Sequence, residues 1–195
     1  MPARTLTALP LSGLSALLGS RTRALAARKW LFETRPVPLV LPERIPGVTP
    51  RAWDAVRQEA PLPEWRLTDR LQSPDGTVKL AIALRQAAVE TVLIPAEVRS
   101  TVCVSSQAGC TRHCRFCATA TMGFQRQLSA GEIVLQYLVA GAEAPPERPA
   151  RNVVFMGMGE PMDNLDAVLG AVHVLTEAGS PRLSWEHVTV STAGV

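Results

Sequence analysis

The spacing of apolar positions changes period along the chain. Leu11, Leu14, Leu17 and Leu18, then Leu25, Trp30 and Leu31, recur at helical intervals within the first sixty residues. A proline-rich connection follows, with prolines at 36, 38, 42, 46 and 50. "TPRAWDAVRQEA" then predicts a helix with Thr49 as N-cap and Pro50 in its first turn. From 65 to 94 the period drops to two. "WRLTDRLQSPDGTVKLAIAL" and "AAVETVLI" alternate, with "SPDG" as a turn, and predict a small antiparallel unit.

From 97 onward the pattern is strand, loop, helix, repeated. "STVCVSS", "NVVFMGMG" and "EHVTVSTAGV" read as strands. "LSAGEIVLQYLVAGA" reads as a helix capped at Ser129, with Glu132 completing a capping box. "NLDAVLGAVHVLTEAG" reads as a helix closed by Gly179. Such alternation implies a parallel sheet whose functional residues gather at the carboxyl ends of the strands. The expected organisation is a helical accessory region at 1–64, a small β extension at 65–96 and an α/β unit at 97–195. Three loops would then meet at one mouth: "AGCTRHCRFCATATMGF", "GMGEP" and "STAG".

Composition adds a size and a charge map. The chain has 195 residues, 47% apolar and 19% charged, enough to bury a core in one ordinary domain with an appendage. Residues 1–75 carry eleven basic and seven acidic side chains, whereas 76–195 carry nine and ten. Between Glu97 and Glu132 the only charges are Arg99, Arg112, Arg115 and Arg126. That local excess suits an anionic partner such as RNA or a carboxylate cofactor; the plain alternative is a solvated basic loop. No apolar run approaches the ~18 residues that span a bilayer. Pro10, Gly13, Arg21 and Arg23 make the N-terminus a short helical segment rather than a leader.

Cysteine placement brings in the chemistry. Three of the four cysteines, Cys110, Cys114 and Cys117, lie in a C-x3-C-x2-C pattern. Three thiols so close cannot all pair with the one that remains, so the expected setting is intracellular, the cytoplasm. Three thiolates can hold three irons of a cubane and leave the fourth open to an external chelator. The alternative is structural zinc, with Cys103 or His113 as fourth ligand. His113 adjoins Cys114, an awkward bite for one ion, and the paired C-x2-C halves usual for zinc are missing. Both readings stay open at this level.

These residues also carry a resemblance. C-x3-C-x2-C with Phe116 before its last cysteine, after a first strand, resembles the radical S-adenosylmethionine (SAM) superfamily. "SPDGTVKLAIAL", "VETVLIP", "CVSSQAGCTRHCRFCATATMGFQRQLSAGEI", "NVVFMGMGEPMDNLDAV" and "VTVSTAGV" resemble, in order and spacing, the adenine-C2 RNA methyltransferases of the RlmN/Cfr type. The likeness runs from about residue 65 to the last residue, and the first part fits that family's helical accessory domain loosely.

The resemblance implies an α/β fold: a partial (βα) radical SAM barrel of about three βα units, with a helical and β-hairpin extension. It implies a 4Fe–4S cluster on Cys110, Cys114 and Cys117, with SAM bound at the open iron. Gly159 and Glu160 would reach the methionine moiety, and Ser191 would contact SAM. Glu90 would be a proton acceptor, and Cys103 would help to resolve a covalent protein–RNA intermediate. Ribosomal or transfer RNA would be the partner, with an electron donor for the cluster. The plainer readings are an outward strand carboxylate for Glu90, a packed small residue for Cys103 and a turn cap for Ser191. His173 reads as structural, and Met156, Met158 and Met162 as core or pocket lining.

In one respect the sequence departs from that family. Its members carry the methyl group on a cysteine near the C-terminus, yet the four cysteines here are already assigned. The expectation is a truncated or split form, a second polypeptide completing the barrel, or a degenerate remnant. The rival functions are another radical SAM reaction that needs no carrier cysteine, and a zinc-stabilised RNA-binding module without catalysis.

Overall fold

The structure is a computed structural model that describes residues 4–180 and 183–194. Three helices open it: α1 (Leu11–Leu18), α2 (Arg21–Glu33) and α3 (Pro50–Glu59). Ser20 caps α2 by accepting the Arg23 N–H. Thr49 does not cap α3 as expected: its side chain makes no cap bond, and the helix begins on Pro50, whose ring fixes a helical φ.

Six strands, β1 (Trp65–Gln72), β2 (Val78–Leu84), β3 (Ala87–Pro95), β4 (Ser100–Cys103), β7 (Ala150–Phe155) and β8 (Val188–Val190), form one sheet in that order, and two others form a second. β1, β2, β3 and β4 pair antiparallel. The two strands of the second sheet, β5 (Gln107–Gly109) and β6 (Phe124–Gln127), pair antiparallel. β7 then runs parallel to β4, and β8 parallel to β7. The boundary expected after residue 96 therefore falls between β3 and β4, hydrogen-bonded neighbours in a continuous sheet.

Two helices follow the parallel strands' loops: α5 (Ala130–Ala142) and α6 (Leu165–Thr176), with the one-turn α4 (Ala118–Thr121) inside the cysteine loop. The capping box on α5 is present, with Ser129 and Glu132 satisfying each other's backbone N–H groups. α6 ends at Thr176; Gly179 lies beyond it, in the following turn, with φ +83°.

β2 shows why one sheet face is the core. Val78, Leu80, Ile82 and Leu84 are buried, while the intervening residues are more exposed. α5 covers this face and is buried from Gly131 to Gly141. A helix apolar all round needs cover on every side. The N-terminal segment supplies part of it, because a Cβ at Gly131 would lie 2.2 Å from Thr5 Oγ1. Arg28 of α2 donates to Glu177 beyond α6 at 3.2 Å, and Glu177 also accepts the Leu11 N–H. The opening helices and the sheet share one apolar core. No helix of the described residues is long and apolar enough to cross a membrane.

Candidate functional site

The site begins where β4 stops. Gln136, fully buried on α5, accepts the Ser105 N–H at 2.8 Å and donates to the Ser105 carbonyl at 3.0 Å. Its amide stands in for the neighbouring strand that Ser105 lacks. The Ser105 hydroxyl donates to the Glu90 carbonyl and accepts the Met158 N–H. One residue thus ties β3 to the chain just past β4 and β7 and turns it toward β5 and the cysteines.

The loop after β7, "GMGEPMDN", packs tightly against that turn. Gly159 has φ +102°, and a Cβ there would lie 2.6 Å from the Gln107 nitrogen and 2.7 Å from Ser106 Oγ. Only glycine fits so close an approach. Glu160, 4% exposed, donates its N–H to Gln107 Oε1 at 3.0 Å. Its carboxylate accepts the Met162 N–H at 3.0 Å and the Ala193 N–H at 2.8 Å. Burial works against that charge, but these N–H groups and the Thr192 hydroxyl outweigh it and hold the carboxyl below the usual carboxylate range. Glu160 thereby joins the third loop, "STAG", to the second. Ser191 is exposed at the end of β8.

Asp163 and Asn164 join the second loop to the first. The Asp163 carboxylate accepts from the Thr111 hydroxyl and from Arg112 Nη2. Asn164 Nδ2 donates to the carbonyls of Ser106 and Leu128, both at 2.7 Å. Gln127 of β6 donates to the Asp163 carbonyl at 2.7 Å and accepts from Gln107. The three loops meet at one mouth, as the strand order requires.

Cys110, Cys114 and Cys117 are free and half-buried on that first loop. The Arg112 N–H points at Cys110 Sγ at 3.3 Å, and the Cys117 N–H closes a turn on the Cys114 carbonyl at 3.0 Å. His113, Arg115 and Phe116 are exposed, Phe116 at 93%. Among the described residues, no three His, Cys, Asp or Glu side chains stand together as a ready metal-binding group. The donor set still suits an iron–sulfur cluster: three free thiols on one short loop, an N–H aimed at one sulfur, and no acid between them.

The open face of the sheet carries the other two candidates. Val92 stands opposite Cys103 and Ala81 opposite Glu90, so Glu90 and Cys103 lie on the same face. The Cys103 thiol is raised by burial, against which the Met156 N–H works. Glu90 is exposed and pairs with Lys79 Nζ at 3.0 Å. Met156 and Met162 are exposed and Met158 is buried, while His173 bonds Glu177.

The expected local positive charge is reduced. Arg112 is paired with Asp163, and Arg126 makes a two-pronged contact with Glu132. Asp163, Asn164, Gln107, Thr111 and Gln136 escaped the reading of the sequence. A polar Gln136 inside an otherwise apolar helix was the signal available for one of them.

Residues 104–195 match the radical SAM superfamily model. Over these residues, which carry all three loops of the mouth, the chain is similar to the radical SAM superfamily. It is 47% identical over 152 residues to a probable RNA methyltransferase of Sorangium cellulosum, a match covering 76% of this chain and 38% of that protein. The crystal structure of a radical SAM methyltransferase from Sphaerobacter thermophilus superposes with a TM-score of 0.85 at 33% identity. That match covers 98% of this chain and 57% of the other. The chain thus spans about two fifths of the curated relative's length.

Proposed function

We propose that this chain forms the cluster- and SAM-binding part of an RNA methyltransferase acting at C2 of adenine. The observation that carries the reading is the joining of the three loops through Gln107, Glu160 and Asp163. Cys110, Cys114 and Cys117 would hold a 4Fe–4S cluster. Bound there, the cluster supplies the electron that makes SAM reactive.

This chain's own residues do the rest. The Gly159 loop, packed against Gln107, would offer backbone to the methionine moiety of SAM. Glu160 sets that loop against "STAG" and presents a charged carboxylate to an ammonium group. Ser191, exposed just after β8, would make a polar contact with SAM. Cys103 and Glu90 share the open sheet face, where a nucleotide would lie, for thiol and proton-transfer roles. Arg115, exposed on the cysteine loop, favours phosphate. The partner is ribosomal or transfer RNA. The setting is the cytoplasm, with an electron donor for the cluster. The methyl-carrying thiol comes from outside the four cysteines present, on a polypeptide region that completes the barrel.

The test is anaerobic reconstitution followed by incubation with SAM, a low-potential reductant and RNA, alone and with the C-terminal half of a relative supplied in trans. The expected product is 2-methyladenosine, read by mass spectrometry of digested RNA, when both halves are present. Cleavage of SAM with no methylated adenine in either mixture would favour a different radical SAM reaction. One zinc and no iron or sulfide would favour the RNA-binding module.

A further inference from the structure

We infer that Asp163 is the positioning residue of the cysteine loop. Its carboxylate grips the side chains of Thr111 and Arg112, the two residues after Cys110, and fixes that end of the loop before any cluster is bound. The inference rests on the reading of the loop as a cluster site, and it adds a residue outside the cysteine motif.

Three observations converge on it. Arg112 is the residue whose backbone N–H points at Cys110 Sγ, so holding its side chain also holds that donor against the sulfur. Arg112 Nε is buried with no partner among the described residues, so Asp163 is the anchor of the guanidinium. Asp163 is itself held: its carbonyl accepts from Gln127, and its N–H donates to the Glu160 carbonyl. Thr111 is held twice, since its N–H also donates to Gln107 Oε1.

Among the described residues, the rest of the loop has no such tether. Arg115 and Phe116 project into solvent, and the three thiols are not gathered. The loop is therefore anchored at Cys110 and free to close at Cys114 and Cys117. Asp163 makes the first ligand position a fixed point around which the other two can fold. N–H groups aimed at sulfur also tune iron–sulfur centres, so the same anchor affects the bound cluster.

Limited proteolysis of the metal-free protein tests the anchor without any cluster. Trypsin can cut after Arg115 within the loop and after Lys29, exposed on α2. Cleavage at rapidly reclosing sites follows the population of the open form. Asp163→Ala should speed cleavage after Arg115 by about tenfold, the scale of one lost charge-assisted hydrogen bond, and leave Lys29 unchanged. Arg112→Gln keeps the Asp163–Thr111 contact and should give part of the effect, and the double variant should add little to Asp163→Ala. Asp163→Asn, which can still accept from Thr111, should fall between. In reconstituted protein, iron loss to a chelator should quicken in the same rank order.

Unchanged cleavage after Arg115 in Asp163→Ala would overturn the inference. Equal acceleration at Lys29 would do so too, since it would mean general loosening. A wild-type protein that takes up no iron would instead sink the cluster reading, and the Arg115 result would still decide the role of Asp163.

Discussion

The Glu160 carboxylate accepts the Ala193 N–H at 2.8 Å across 33 residues of sequence, and so links the loops after β7 and β8. A carboxylate that accepts the Met162 N–H as well is already committed to backbone on both oxygens. Any ammonium group it meets shares it with these donors. Glu160 therefore shapes the mouth even where it would not touch a bound ligand.

Glu160→Gln should speed hydrogen exchange of the Ala193 amide by about tenfold, because the neutral amide has one acceptor for two donors. The wild type should show a pH dependence that the variant lacks. The folded carboxyl titrates below its ordinary value, so its contribution is present above that value and lost as pH falls through the folded one. Protection of Ala193 that is equal in both proteins at neutral pH would remove the clamp.

Gly159→Ala should destabilise the protein by about 2–4 kcal/mol. The new Cβ would overlap the Gln107 backbone, and φ +102° is strained for any side chain. At roughly 2–4 °C per kcal/mol for a chain of this size, the melting point should drop by about 5–15 °C. A drop under about 2 °C would mean that the loop yields more easily than the packing implies.

Glu132 is the third test. Burial opposes its charge, but Arg126 and the Ser129 cap outweigh burial and hold the carboxyl low. Glu132→Ala would remove the capping box and leave Arg126 without its acid. The expected cost is about 2–3 kcal/mol, with part of the pair exposed to solvent. Its contribution is full above the ordinary carboxylate value and fades as pH falls through the folded one. Glu132→Gln should accordingly flatten the acid side of the stability curve, which melting from pH 3 to 7 would measure.

Local signals in the sequence carried most of the elements. Ser129 and Glu132 stand three residues apart before an apolar run, and the box they form is an interaction within one helical turn. Thr49 offered a similar signal that the structure does not use, because Pro50 alone suffices to start α3. What period-two alternation cannot convey is which strand lies beside which. The join between β3 and β4 depends on Val92 meeting Cys103, and nothing local records that. The same holds at the mouth. Cys110, Cys114 and Cys117 are visible as a spacing, whereas Arg112 and Asp163 are 51 residues apart and read separately as a basic loop and a helix start.

The last prediction concerns the cysteines. Alanine at any one of Cys110, Cys114 and Cys117 should abolish the broad visible absorbance of reconstituted protein, and Cys103→Ala should keep it. The structure gives a reason for the difference. Cys103 sits at the end of β4 on the open face, with its carbonyl held by the Thr91 hydroxyl at 2.7 Å, and cannot swing into the loop without breaking the sheet. Its thiol is also raised by burial, so at neutral pH it is a neutral SH, a poor ligand for iron and a slow nucleophile. Iodoacetamide labelling of the metal-free protein, mapped by peptide mass, should find Cys103 the slowest of the four at pH 7. Its rate should climb only as pH passes above the ordinary thiol range. If Cys103→Ala loses metal as completely as Cys114→Ala, the thiol is a fourth ligand and the zinc reading replaces the iron–sulfur one.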